Sequence, residues 1–227
     1  VTHSTTKYMD GHDATVGGAV VDSGKFDWME HKEKFPGLCT PDESYHGIVY
    51  AQKFGNAGAY ITKATVQLMR DLGSVQAPVN AYMLNLGLES LAVRMERHCS
   101  NALAVAEFLE QNENVAWVNY PGLADNQYYR RAQKYMNGGT CGVVSFGVKG
   151  GRPAAEKFMK NLHLAMIATH VADARTCVLH PASSTHRQMT DEELAAGGVP
   201  ADLVRLSVGI ENVSDIIADL KQALSSL

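Results

Sequence analysis

Close to the start of the sequence a lysine, Lys7, follows three consecutive hydroxyl residues, Ser4, Thr5 and Thr6, in the stretch HSTTKYMDGH. Lysines are mostly exposed, so one reading of Lys7 is a solvated turn residue. The spacing offers a second. Ser4 and Thr6 stand two apart, which puts their side chains on one side of an extended or turn segment, where two hydroxyls can donate to one phosphate. Lys7 is then presented beside that phosphate. A ligand with a phosphate at one end and an aldehyde at the other would be held at both, because a lysine amine condenses with carbonyl groups.

A second candidate lies in DLVRLSVGIE. Strand alternation places Val204, Leu206, Val208 and Ile210 on one face and Leu203, Arg205, Ser207 and Gly209 on the other. An arginine in so apolar a strand needs an anionic partner to offset its desolvation. That partner is either a carboxylate of the protein or the carboxylate of a ligand, whose two oxygens the planar guanidinium matches.

The stretch HSTTKYMDGH resembles the Ser-x-Thr-Lys signature of the Cys/Met-metabolism family of pyridoxal-phosphate enzymes. The segments RMERHCSNALAVAEFL, VNYPGL, GGRPAAEKFM, LHPASSTH and VRLSVGIEN resemble segments of that family in the family's order. The resemblance implies a fold-type I α/β architecture and pyridoxal 5'-phosphate as cofactor. It gives Lys7 the covalent bond to the cofactor, Ser4 and Thr6 its phosphate, and Arg205 the α-carboxylate of an amino-acid substrate.

Within the family, KFPGLCTPDESYHGIVY, AYITKATVQLMRDLGSVQAP and HVADARTCVLHPASSTHRQ are most similar to the O-acetylhomoserine sulfhydrylases. The implied reaction joins O-acetyl-L-homoserine and sulfide to give L-homocysteine and acetate. Methionine γ-lyases and the cystathionine γ-synthases and lyases are the alternatives. The resemblance also implies a homotetramer, a dimer of dimers.

Other motifs lack necessary parts. In DSGKF, Phe26 stands where a phosphate loop needs Ser or Thr, and Gly18 is one residue too far from Gly24. His180 and His186 have no supporting carboxylate or Cys at ligand spacing, so no metal site is expected. Ser183 and Ser184 lack the G-x-S-x-G elbow of a serine hydrolase.

The 227 residues are 45 % hydrophobic with a net charge of -4. Lys and Arg are scattered, which argues against nucleic acid or an anionic membrane as partner and for a small molecule. Cys39, Cys99, Cys141 and Cys177 form no C-x-x-C pair, so reduced, mostly buried thiols in a cytoplasmic protein are expected. No apolar run approaches the roughly 18 residues of a membrane span. The sequence begins inside its polar cluster without Met, which predicts the C-terminal portion of a longer protein.

The elements that must position Lys7 and Arg205 are legible as a pattern. A buried strand is expected at Gly17 to Asp22, and an amphipathic helix on Ile61, Ala64, Thr65, Leu68 and Leu72, closed by Gly73. A longer helix after Pro78 is expected to carry Leu84, Leu88, Leu91, Ala92, Met95 and Cys99 on one face, with Glu89, Arg94, Glu96 and Arg97 off that face. Strands and helices then alternate to the end, through VAWVNY, NQYYRRAQKYM, CGVVSFGVKG, RPAAEKFMKNL, LAMIATHVA, TDEELAAG, DLVRLSVGIE and VSDIIADLKQAL. The resemblance assigns residues 1–85 to the end of a large cofactor-binding domain and 86–227 to a small α/β domain.

In this family the Asp on the pyridine nitrogen and the aromatic stacked on the ring precede the lysine segment. The sequence as it stands is therefore expected to fold at least in its C-terminal domain and not to turn over by itself.

Overall fold

The computed structural model describes residues 1–136 and 138–227. The chain forms two compact units, one of residues 1–5 and 16–82, the other of residues 6–15 and 83–227. The short segment 6–15, which carries Lys7, thus belongs with the C-terminal part of the chain.

In the first unit β1 (Thr2–Ser4) pairs antiparallel with β2 (Gly18–Val20). This corrects the expectation of a buried strand at 17–22: the ribbon is two short, largely exposed strands. Gly17 lies close to a neighbouring side chain: a Cβ there would sit 2.7 Å from Thr5 Oγ1. A one-turn helix α1 (Pro36–Cys39) and α2 (Tyr50–Lys63) follow. Leu38, Cys39, Tyr50, Ala51 and Ala59 form their core, backed by Trp28 and Tyr60, whose rings stack.

Helix α2 is interrupted at Gly55 (φ 63) and continues as a π-helical turn, Ala64–Met69, into α3 (Arg70–Leu72). Gly73 closes it in the left-handed region, φ 66, its N–H donating to Met69 O at 2.9 Å, the cap expected from the sequence. The apolar stripe of this helix is not core, however. Leu68 is 51 % and Leu72 75 % exposed, because the small core of this unit is filled from the other side of the helix.

The single long helix expected after Pro78 is two, α4 (Pro78–Glu89) and α5 (Leu91–Glu110), separated at Ser90 (φ -102, ψ 0). The buried face of α5 is Arg94, His98, Asn101, Ala102, Val105, Ala106 and Leu109. Arg94, expected off the apolar face, is buried.

The second unit is built on a five-stranded sheet in the order β3-β4-β7-β6-β5. Its strands are β3 (Val115–Asn119), β4 (Val143–Val148), β5 (Met166–Ile167), β6 (Cys177–Leu179) and β7 (Leu203–Ser207). All neighbours are antiparallel except β5 and β6. The helices are α6 (Tyr129–Tyr135), α7 (Gly151–Lys160), α8 (Asp191–Ala196) and α9 (Val213–Ser225). Val144, Phe146 and Val148 of β4 and Val204 and Leu206 of β7 pack with apolar residues of α5, α7 and α9.

That packing fixes which face of the sheet is core, and the period of two then turns Arg205 and Ser207 to the other. Arg205 stands opposite Ser145 of β4 and Leu179 of β6, in the central strand and away from the helix-covered face. The stretch LAMIATHVA supplies only two strand residues, Met166 and Ile167. The segment after them leaves the sheet to make contacts that bear on the site.

Candidate active site

Arg205 is half-buried, and its Nη2 donates to the main-chain oxygens of Thr169 at 2.8 Å and His170 at 3.2 Å. Its Nε is buried without a partner. Burial draws its pKa below the ordinary arginine value, the signature of a cation short of counter-charge. Of the two partners open to it from the sequence, a protein carboxylate is not found among the described residues. The guanidinium is pinned by two carbonyls through one nitrogen and keeps donors for an anion that the chain itself does not supply.

Lys7 follows directly on the ribbon. Ser4 ends β1 and is exposed, while Thr5 is buried, its N–H donating to Gly17 O at 3.0 Å. Thr6 and Lys7 are half-buried. The Lys7 carbonyl accepts from Gly11 N at 2.8 Å, closing a turn, while its ammonium has no ion pair among the described residues. A half-buried amine without a counter-ion, next to two hydroxyl residues, fits a group that brings both an electrophile and a negative charge.

The turn that carries Lys7 is held from several directions within the second unit. The Tyr8 hydroxyl accepts from Gly142 N at 2.9 Å, and its ring meets the edge of His98 at 5.1 Å between centroids. Burial pushes the Tyr8 hydroxyl up to about 12. Arg94, 4 % exposed, donates from Nη2 to Tyr8 O at 2.9 Å and Gly87 O at 2.7 Å, and from Nε to Ser90 Oγ at 3.0 Å. Gly11 has φ +74, and a Cβ there would overlap the Arg94 guanidinium. Asp10, also buried, gathers the turn by accepting from Ala14 N at 2.9 Å and His12 N at 3.3 Å.

Arg94 is thus a buried cation bonded entirely to neutral acceptors beside the Lys7 turn. Arg94→Met keeps the unbranched stem of the side chain and removes every donor, leaving the carbonyls of Tyr8 and Gly87 without this partner. A hydrogen bond to a charged group contributes about 1.5–3 kcal/mol, so the loss expected is about 3 kcal/mol or more, less whatever burial the thioether regains. Urea unfolding monitored by circular dichroism reads it as a lower midpoint at unchanged slope. A midpoint equal to wild type would mean that the turn is held without Arg94.

Sequence reasoning singled out Lys7, Ser4, Thr6 and Arg205 as candidates. It missed Arg94, Asp10, Tyr8 and His98. For Arg94 a signal existed: starting at Arg94 rather than at Leu91, the spacing 94, 98, 101, 102, 105, 109 is a continuous helical stripe. Both ring nitrogens of His180 are engaged inside the protein, Nδ1 with Ser183 Oγ and Nε2 with Ala201 O, each at 2.8 Å. Lys7 and Arg205 lie in the same unit, and Ser4 belongs to the other.

A profile of the family described as Cys/Met metabolism PLP-dependent enzyme matches residues 1–225. The chain belongs to that family. Homocysteine synthase of Schizosaccharomyces pombe is 47 % identical over 224 residues, covering 99 % of this chain and 52 % of the relative. O-acetyl-L-homoserine sulfhydrylase 1 of Thermus thermophilus is 45 % identical over 225 residues, covering 99 % and 53 %. A crystal structure described as an O-acetylhomoserine (thiol)-lyase of Campylobacter jejuni, containing N'-pyridoxyl-lysine-5'-monophosphate, superposes with a TM-score of 0.89 at 36 % identity. It covers 99 % of this chain and 53 % of that one.

The chain therefore spans about half the length of the relatives it matches. Over that span the fold is the fold-type I arrangement expected from the sequence. Among the described residues no helix is long and apolar enough to cross a membrane.

Proposed function

We propose that this chain carries the cofactor lysine and the substrate-carboxylate arginine of a pyridoxal-phosphate-dependent O-acetyl-L-homoserine sulfhydrylase, which converts O-acetyl-L-homoserine and sulfide into L-homocysteine and acetate. One observation carries the reading: Lys7 and Arg205, in one unit, are cations without a protein carboxylate, and each keeps donors free for a ligand. The choice of sulfhydrylase over lyase is supported by relatives named homocysteine synthase and O-acetyl-L-homoserine sulfhydrylase, which match 99–100 % of the chain at 43–47 % identity.

In this reading Lys7 holds the cofactor's aldehyde carbon, and the Ser4 and Thr6 hydroxyls donate to its phosphate. Once bound, pyridoxal phosphate supplies an electron sink for the carbon atoms next to the substrate amine. Arg205 grips the substrate α-carboxylate and so fixes the Cα–H bond relative to Lys7. The freed Lys7 amine would serve in turn as base and acid at Cα and at Cβ, carrying one proton at a time. Acetate leaves from Cγ, hydrosulfide adds there, and the protons removed from Cα and Cβ are restored, so the net change is acetate out and thiol in.

Residues 1–85 are read as the end of the large cofactor-binding domain and 86–227 as the small domain of a cytoplasmic homotetramer, a dimer of dimers. Exposed apolar side chains on 68–79, Leu68, Leu72, Val75 and Val79, support a larger assembly. The experiment is an assay of the full-length protein with pyridoxal phosphate, sulfide and O-acetyl-L-homoserine, with L-cystathionine and L-methionine as competing substrates. Homocysteine formed from O-acetyl-L-homoserine and sulfide is expected. Release of 2-oxobutanoate from L-methionine as the dominant activity would replace the reading with a γ-lyase.

A further inference from the structure

His170 is 9 % exposed, and its Nδ1 lies 2.9 Å from Asp13 Oδ1. Asp13 belongs to the turn that begins at Lys7, whereas the His170 carbonyl is one of the two that pin Arg205 Nη2. The two segments meet a second time where Ala174 N donates to Gly11 O at 2.8 Å. The backbone carries strain on both sides of the pair. Asp13 (φ 53) and Ala172 (φ 70) are two of three non-glycine residues with positive φ among those described. L residues rarely hold this conformation unless surrounding contacts impose it, and such residues cluster at functional sites. Ala172 is itself buried, with its N–H donating to Ser207 Oγ at 2.8 Å.

We infer that the Asp13–His170 pair positions the two ends of the substrate site against each other. An α-amino acid has its amine and carboxylate on one carbon, so Lys7 and Arg205 must stand at one fixed separation to receive both. The inference rests on the roles of Lys7 and Arg205 proposed above. His170 acts through Nδ1, which donates to Asp13, and through its carbonyl, which holds Arg205. The ring Nε2, buried without a partner, makes no contact that the role requires. His170 and Asp13 are positioning residues and touch no reacting atom.

The two ring nitrogens can be separated by substitution in the full-length holoenzyme. His170→Asn puts an amide N–H where Nδ1 was and keeps the donor to Asp13. His170→Gln puts it near Nε2 and gives that donor up. Asp13→Gly removes the carboxylate while tolerating positive φ. Gln and Gly variants are expected to raise KM for O-acetyl-L-homoserine roughly tenfold, with kcat within about twofold, as for lost uniform binding. The Asn variant should stay close to wild type.

Calorimetric binding of L-homoserine, which has the same amine and carboxylate without the acetyl group, should weaken in parallel. Equal impairment of the Asn and Gln variants, an impaired Asn variant beside a normal Gln variant, or wild-type KM in the Gln variant would each overturn the inference. Failure of the functional reading shows instead in the wild type, as absence of homocysteine. L-homoserine binding then still reads the pair, and a wild type that neither turns over nor binds L-homoserine overturns both.

Discussion

Lys7→Ala in the full-length protein is expected to abolish the proposed homocysteine formation while leaving the fold intact. Lost proton transfer alone costs about a hundred- to ten-thousand-fold, and loss of the covalent attachment of the cofactor adds to it. The fold should persist because the Lys7 ammonium has no ion pair among the described residues, and its turn is held by the Lys7 carbonyl, Tyr8 and Arg94. Thermal unfolding within a degree or two of wild type, together with lost turnover, is the expected pair of results. Lys25→Ala and Lys53→Ala, at exposed lysines outside any hydroxyl cluster, serve as controls and should keep full activity. Substantial turnover by the Lys7 variant would remove the basis of the mechanism.

Arg205→Lys is expected to raise KM for the proposed substrate, O-acetyl-L-homoserine, and to leave cofactor binding nearly unchanged. A lysine ammonium is a point charge that cannot make the two parallel hydrogen bonds of a guanidinium, and the loss is about 2 kcal/mol or more. In KM that is roughly thirtyfold, at RT of about 0.59 kcal/mol. The substitution also gives up the two backbone contacts of Nη2 at Thr169 and His170, so the unfolding midpoint must be measured beside the kinetics. An unchanged KM would reduce Arg205 to a tie between its strand and the 169–170 segment.

How much of this was legible depended on whether a local rule decided the outcome. The alternation in DLVRLSVGIE placed Val204 and Leu206 in the core and Arg205 and Ser207 on the opposite face, because a period of two leaves no third choice. Gly73 was readable as a helix end, since the left-handed cap is a property of that residue. The signature at Ser4 to Lys7 was readable for the same reason: four neighbouring residues contain it.

What sequence could not supply was set by distant partners. Arg94 looks like a surface cation until Tyr8 and Gly87 arrive with carbonyls and Gly11 makes room for the guanidinium. Asp13 and His170 have no local signal at all, because their pairing depends on how two segments far apart in the chain cross in space. The stripe at Leu68 and Leu72 was read correctly as the apolar face of a helix, and that face is exposed in this unit. Periodicity reports a shared face and is silent on what covers it.

The central claim is that Lys7 is the residue to which the cofactor bonds. Borohydride reduction of the full-length holoenzyme, followed by proteolysis and mass spectrometry, fixes the pyridoxyl group on whichever lysine carries it. The account predicts the label on the peptide containing HSTTKY, at Lys7. A label on Lys25, Lys53 or Lys63 with Lys7 unmodified would contradict it.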